Sequence, residues 1–279
     1  MRVDAHQHFW KISKGYYKWL TPEFASIYRD FLPVHIKPIL RKHKINKTIV
    51  IQAAPKMEET KFLLKLATEE DFIAGVVGWL DMESKGFEEQ FFKMRQNPKF
   101  IGLRPMIQNI KDNGWMLKPR VIHSFKIIEK EGFPFDFLIC PRHLPYVLQV
   151  LKKFPELRGV IDHFAKPQIK KQCTEPWGNL INDLAKYPNV MCKLSGFVTK
   201  ENWKSWNPSE FIPYINNVLD VFGFKRVIFG SDWPVLLLAT SYSNILYFFR
   251  EMLGKKLTPE IDADIFGRNA VCFYKLNKS

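Results

Sequence analysis

Nothing in this chain of 279 residues approaches the ~18 consecutive apolar residues that a membrane span requires, so no membrane segment is expected. Cysteine is scarce. Cys140, Cys173, Cys192 and Cys272 are dispersed and form no C-x-x-C pair, which argues against a disulfide framework and a structural zinc cluster. No G-x-G-x-x-G follows the first apolar run, as a dinucleotide-binding sheet would demand. The chain has no tract rich in Pro, Gly or Ser, no low-complexity stretch and no internal repeat. No basic leader with an apolar core opens it, because Val3 already begins a structural run; a cytoplasmic protein is the expectation. Acidic residues are outnumbered, 28 against 42 Lys and Arg, for a net charge of +14. Those basic residues are spread out, and pairs such as Lys170-Lys171 and Lys255-Lys256 read as solvated ends or loops. The expectation is therefore no nucleic acid; a diffuse positive field better suits an anionic small substrate or product.

What is present is a globular core, with 46% hydrophobic and 15% aromatic residues. Short runs rich in Val, Ile, Leu and Phe occupy residues 2–9, 47–53, 72–80, 100–106, 135–139, 158–164, 189–196 and 226–230. They lack strict polar alternation, as strands buried on both faces of a parallel sheet do. Between them, residues 58–70, 121–131, 144–154, 211–222 and 245–253 place apolar side chains at i, i+3 and i+4, the stripe of an amphipathic helix. Eight such units match the size of a (β/α)8 TIM barrel forming one domain over residues 1–279. A doubly wound open sheet is the alternative. Residues 15–33 and 103–119 are long loops after strands one and four, which a barrel places at its mouth.

A barrel carries its chemistry at the C-terminal ends of its strands. Those ends supply His6 and His8, Gln52, Arg104, His163, Lys193 with Ser195, and Asp232. His6 and His8 are two residues apart, so on a strand they share a face. Each residue alone has a plainer reading: a chance histidine pair, a core histidine bonded to a carbonyl for His163, a helix cap for Asp232, a structural ion pair for Arg104. Their coincidence is the signal, because polar groups at the mouth of an apolar barrel are costly unless paired, hydrated or ligating. His6, His8, His163 and Asp232 have the donor types of a zinc site with an open position for water.

The chain resembles the sugar-lactone hydrolase branch of the amidohydrolase superfamily. The residues that carry the likeness are Asp4-Ala5-His6-Gln7-His8-Phe9-Trp10, Gln52-Ala53-Ala54, Val76-Val77-Gly78-Trp79 and Gly102-Leu103-Arg104-Pro105-Met106 in the first half. In the second half they are Pro141-Arg142-His143-Leu144-Pro145, the run from Ile161 to Pro167, Lys193-Leu194-Ser195-Gly196 and Phe229-Gly230-Ser231-Asp232-Trp233-Pro234. The resemblance implies a distorted barrel that hydrolyses a cyclic ester, as hydrolases of L-fuconolactone and L-rhamnonolactone do. It implies Asp232 as the group that activates water, with His163 and Arg104 also catalytic. It implies one divalent metal, Zn2+, on His6, His8, His163 and Asp232, or no metal at all. Arg104 stands where two-metal relatives carry a bridging ligand, and a guanidinium cannot ligate, so a binuclear centre is not expected. Gln52, Trp79, Trp115, His143 and Trp233 are the expected substrate contacts, and for each indole ordinary aromatic packing is the plainer reading. The expected partner is a small lactone, and a homo-oligomer is compatible with the sequence. Two rivals stand: metal-dependent decarboxylation of an unsaturated or aromatic acid on the same scaffold, and a non-enzymatic basic binding protein.

Overall fold

A computed structural model describes residues 1–171, 174–196 and 207–276; Cys173 lies outside them. One strand falls in each expected run: β1 (Val3–Gln7), β2 (Lys47–Ile51), β3 (Ile73–Gly78), β4 (Phe100–Leu103), β5 (Phe135–Phe137), β6 (Gly159–Ile161), β7 (Val190–Leu194) and β8 (Val227–Phe229). They form one sheet in chain order, each strand parallel to the next. The sheet closes just past its last strand. There the Asp232 amide donates to His6 O at 2.8 Å and the His8 amide donates to Trp233 O at 2.7 Å. Closure of the barrel therefore sets the His-x-His segment against Asp232. This is the expected (β/α)8 barrel.

The five expected helices are α2 (Met57–Glu69), α4 (Pro119–Lys130), α5 (Leu144–Lys153), α7 (Ile212–Phe222) and α8 (Tyr242–Leu253). The structure adds α1 (Pro33–Lys42), α3 (Phe87–Arg95), α6 (Trp177–Ala185) and two short C-terminal helices, α9 (Pro259–Ala263) and α10 (Asn269–Phe273). Those three longer helices were harder to read. α1 carries Pro38 inside it, and α3 and α6 are each 9 residues long with three or so apolar anchors.

Two apolar layers hold the barrel. Outside, Val50, Phe135, Phe137, Leu194 and Phe229 pack against helix residues such as Leu63, Phe125, Val147, Ile215 and Phe249. Inside, Val3, Ala5, Ile49, Ile51, Val160 and Ile228 form a plug that Ala270, Phe273 and Tyr274 close from the N-terminal end. Fully burying side chains of this size stabilises a fold by roughly 1.5–3 kcal/mol each.

One irregularity positions the site. The β1–β2 register runs Asp4↔Thr48 and then Gln7↔Val50, so β1 carries one extra residue. Such a bulge re-aims side chains. Asp4 turns outward, where Tyr242 of α8 donates to its Oδ2 at 3.0 Å and the Ser231 amide donates to Oδ1 at 2.9 Å. His6, two residues on, turns inward beside Asp162 and Arg104.

Candidate active site

Four groups expected at the strand ends meet over the inner plug. The His6 ring centroid lies 5.0 Å from that of His8 and 4.5 Å from that of His163. Asp232 Oδ1 is 3.2 Å from His8 Nε2 and 3.7 Å from His6 Nε2. All four residues are buried, none more than 6% exposed. Two glycines make the closeness possible. A Cβ at Gly230 would meet His6 Cβ at 2.4 Å, and one at Gly196 would meet His163 Nδ1 at 2.4 Å.

Hydrogen bonds fix which face each ring offers. His8 Nδ1 donates to the Ile51 carbonyl at 2.8 Å, which leaves Nε2 facing the Asp232 oxygen. Two acceptors at that distance require a proton or a cation between them. His6 Nδ1 faces Asp162 Oδ1 at 3.5 Å, which favours the proton there and leaves Nε2 toward Asp232. His163 Nδ1 shares a hydrogen with Ser195 Oγ at 2.8 Å. Burial lowers His163 to about 4 and holds His6 well below the ordinary histidine range, so both rings are neutral at neutral pH. For Asp232, burial favours the acid, but His163, His8 and His6 overcome it and hold the carboxyl below its usual range.

This donor set fits one divalent ion. Ligand atoms on a tetrahedral Zn2+ with bonds of about 2.0–2.1 Å stand roughly 3.3 Å apart. One ligand atom from each of His6, His8 and Asp232 lies within 4.8 Å of the others. The second nitrogens of both rings face a carbonyl or a carboxylate, the usual support for metal-binding histidine. The Arg104 guanidinium lies beside His6, at the second group of possible ligands, His6, Asp162 and His163. Its Nη1 lies 3.4 Å from His6 Nε2 and donates to Asp162 Oδ2 at 3.0 Å, while Nη2 donates to the Gln52 carbonyl.

Beneath the imidazoles runs a sealed chain of charges. Lys193 donates to Asp136 Oδ2 at 2.6 Å and lies 3.0 Å from Asp162 Oδ1. Tyr274 donates to both Asp136 oxygens, at 2.9 and 2.8 Å. Burial opposes the Asp162 charge, yet Lys193, His6 and Arg104 hold that carboxyl well below the usual range. Burial pushes Asp136 up to about 6, against the pull of Lys193. These groups orient His6 and Arg104 from below.

Above them opens a cavity of about 350 Å³ walled by His8, Arg104, His163 and Asp232. Trp19, Met106, Gln108, Leu138, Lys166 and Val235 complete much of its wall. The five residues expected to touch substrate stand elsewhere. Trp79 and Trp115 wall a second cavity of about 320 Å³, which shares Met106 and Asn109 with the first, and the Trp115 indole N–H is tied to Glu83. The Gln52 amide is spent on Arg104 O at 2.6 Å. His143 lies buried at the start of α5, where its Nδ1 accepts from the Cys140 amide at 3.0 Å. The Trp233 ring turns away from the cavity to pack on Phe9 and Phe31, at centroid distances of 6.2 and 5.1 Å. The indole in the larger wall is Trp19, whose N–H donates to Ala53 O at 2.8 Å.

Sequence reasoning passed over Asp162, Lys166 and Gln108 as site residues. The run of residues 158–164 was read as strand, but β6 ends at Ile161. From His163 to Lys166 the backbone is left-handed, with φ of 52, 39, 60 and 50°. That turn, which no periodicity encodes, carries Lys166 into the cavity wall.

A family model described as amidohydrolase matches residues 3–276. A Burkholderia ambifaria protein named L-fucono-1,5-lactonase is 37% identical over 99% of this chain and 96% of its own length. A Burkholderia multivorans protein of the same name is 30% identical over the same shares. The crystal structure of a Burkholderia multivorans amidohydrolase with bound Zn superposes with a TM-score of 0.93 at 30% identity, covering 99% of this chain and 100% of that one.

Proposed function

This chain belongs to the amidohydrolase family, and from that premise we propose that it opens a sugar lactone of the L-fucono-1,5-lactone class by attack of water on the ring carbonyl. The observation that carries the reading is the anionic Asp232 set among three imidazoles at the base of a cavity of about 350 Å³. Relatives named as lactonases, similar over almost their whole length, support it.

Asp232 is the base. Its carboxylate accepts a proton from the water as the water oxygen bonds to the carbonyl carbon. A carboxyl held below its usual range keeps that proton briefly. It passes the proton to the ring oxygen as the carbon–oxygen bond breaks, leaving a hydroxy acid. His163, fixed by Ser195, borders the same space and orients the water or the carbonyl. Arg104 holds His6 and Asp162 in place. His6, His8 and Asp232 would hold one divalent ion, Zn2+, which when bound polarises a carbonyl and acidifies a water. Trp19 offers an apolar face for a sugar ring.

The test is a pH-stat screen of aldono-1,4- and 1,5-lactones with and without chelator. Hydrolysis well above the spontaneous rate, with a preference for one sugar configuration, is expected. Background rates across the whole panel, or release of CO2 from an unsaturated or aromatic acid instead, contradict the reading.

A further inference from the structure

His163, Phe164, Ala165 and Lys166 are four consecutive non-glycine residues with positive φ. Left-handed backbone is disfavoured for residues that carry a Cβ, and it persists only where the surroundings impose it. Here the Lys166 amide donates to His163 O at 2.8 Å and closes the turn. Phe164 and Ala165 point into the core, 2% and 0% exposed, while His163 and Lys166 both wall the larger cavity. The strained turn thus delivers an ammonium to the side of the pocket that already holds His163.

The cations near this site differ in what they have left to give. Lys193 is sealed between Asp136 and Asp162. Arg104 donates to Asp162 and to the Gln52 carbonyl and lies against His6, and it is 2% exposed. Lys166 Nζ instead donates to a neutral acceptor, Gln108 Oε1, at 2.6 Å, and among the described residues no carboxylate stands within ion-pair distance of it. Its charge remains available to a guest.

We propose that Lys166 is the cation that meets the negative charge forming on the lactone carbonyl oxygen, and that it then holds the product carboxylate until release. The assignment rests on the lactone-hydrolase reading. As the water oxygen bonds to carbon, the carbonyl electron pair moves onto oxygen, and a Lys166 N–H donates to it without giving up its proton. When the pair returns, the ring carbon–oxygen bond breaks and the water proton reaches the ring oxygen by way of Asp232. Gln108, reaching over from the segment after β4, keeps the ammonium at the mouth between turnovers. The catalytic role expected for Arg104 becomes a positioning one, because its two terminal nitrogens are engaged by Asp162 and by the Gln52 carbonyl.

The experiment compares Lys166→Met, Lys166→Arg and Gln108→Leu with the wild type in steady-state lactone hydrolysis and in inhibition by the hydroxy-acid product. Lys166→Met should lose about 10²–10³-fold in kcat, the scale of one lost oxyanion donor. Its KM for the neutral lactone should move only a few-fold, while the product acid binds at least about tenfold more weakly. Lys166→Arg should recover part of both losses. Unchanged kcat and product inhibition in Lys166→Met overturn the assignment. So does an equal weakening of neutral lactone and product acid, which marks a structural role. Should Lys166→Met fail to fold, Gln108→Leu, which leaves the turn untouched, decides by the same two readouts with an expected loss of about tenfold. A wild type that opens no lactone overturns the hydrolase reading and this assignment with it. An active wild type beside an unimpaired Lys166→Met overturns the assignment alone.

Discussion

Asp136, Lys193 and Asp162 lie in the barrel interior with each charge facing an opposite one; His6, His8, His163 and Asp232, one layer nearer the mouth, face one another as acceptors. Both clusters are buried and both sit on strand ends or strands of the same sheet. The lower one satisfies itself: Lys193 and Tyr274 occupy the Asp136 oxygens. The upper one is completed only by something brought in, whether a proton, a cation or a water held by a substrate. Burial imposes the same cost on both. Self-pairing turns it into rigidity, and incomplete pairing turns it into a binding and reacting site.

The largest expected effect breaks the upper cluster. Asp232→Asn keeps the shape and removes the charge, so lactone opening should fall at least about 10³-fold. Its thermal unfolding should shift far less than its turnover, because no Lys or Arg among the described residues loses an ion-pair partner. Near wild-type turnover would remove Asp232 from the chemistry. The lower cluster should respond the other way. Lys193→Met leaves Asp136 without a cation and Asp162 with Arg104 alone, and breaking a buried pair of this kind costs about 3–5 kcal/mol. Denaturant unfolding of Lys193→Met should show that loss, and a variant as stable as the wild type would dissolve the contrast between the layers.

Glu59 sharpens the comparison as a buried acid that makes no ion pair among the described residues. The Ala53 amide donates to its Oε1 at 2.8 Å, and burial pushes its carboxyl up to about 8. The folded state therefore holds a proton that the unfolded chain releases near the ordinary carboxylate range. Between about pH 5 and 8 the folded form binds more protons, so this group makes stability fall as pH rises, by at most about 1.4 kcal/mol per unit. Glu59→Gln should flatten that slope in urea titrations at several pH values; an unchanged slope would show that Glu59 ionises normally. The smallest effect belongs to the second cavity. Trp79→Phe should change kcat/KM on the lactone by no more than about threefold, because that side chain lies outside the larger cavity. A loss of a hundredfold would join the two cavities into one site.

Much of the fold was legible because parallel strands buried on both faces read as unbroken apolar runs, and each run did hold a strand. The strand ends then named His6, His8, His163, Arg104 and Asp232, which do stand together. What stayed hidden depends on backbone conformation rather than composition. The bulge that turns Asp4 out and His6 in leaves no mark on a two-residue alternation. The left-handed turn that brings Lys166 back beside His163 begins inside a run whose apolar residues suggest strand. Residue type does not tell a tryptophan ring packed on Phe31, like Trp233, from one walling a cavity, like Trp19.

The most direct test of a water-activating upper cluster is hydrolysis of L-fucono-1,5-lactone in H2(18)O, with the rate and the position of the label read together by mass spectrometry. The account predicts that the wild type places one heavy oxygen in the new carboxylate, far above the spontaneous rate, and that Asp232→Asn falls to near that background. Label in the hydroxyl released from the ring, or equal rates with and without the Asp232 charge, would contradict it.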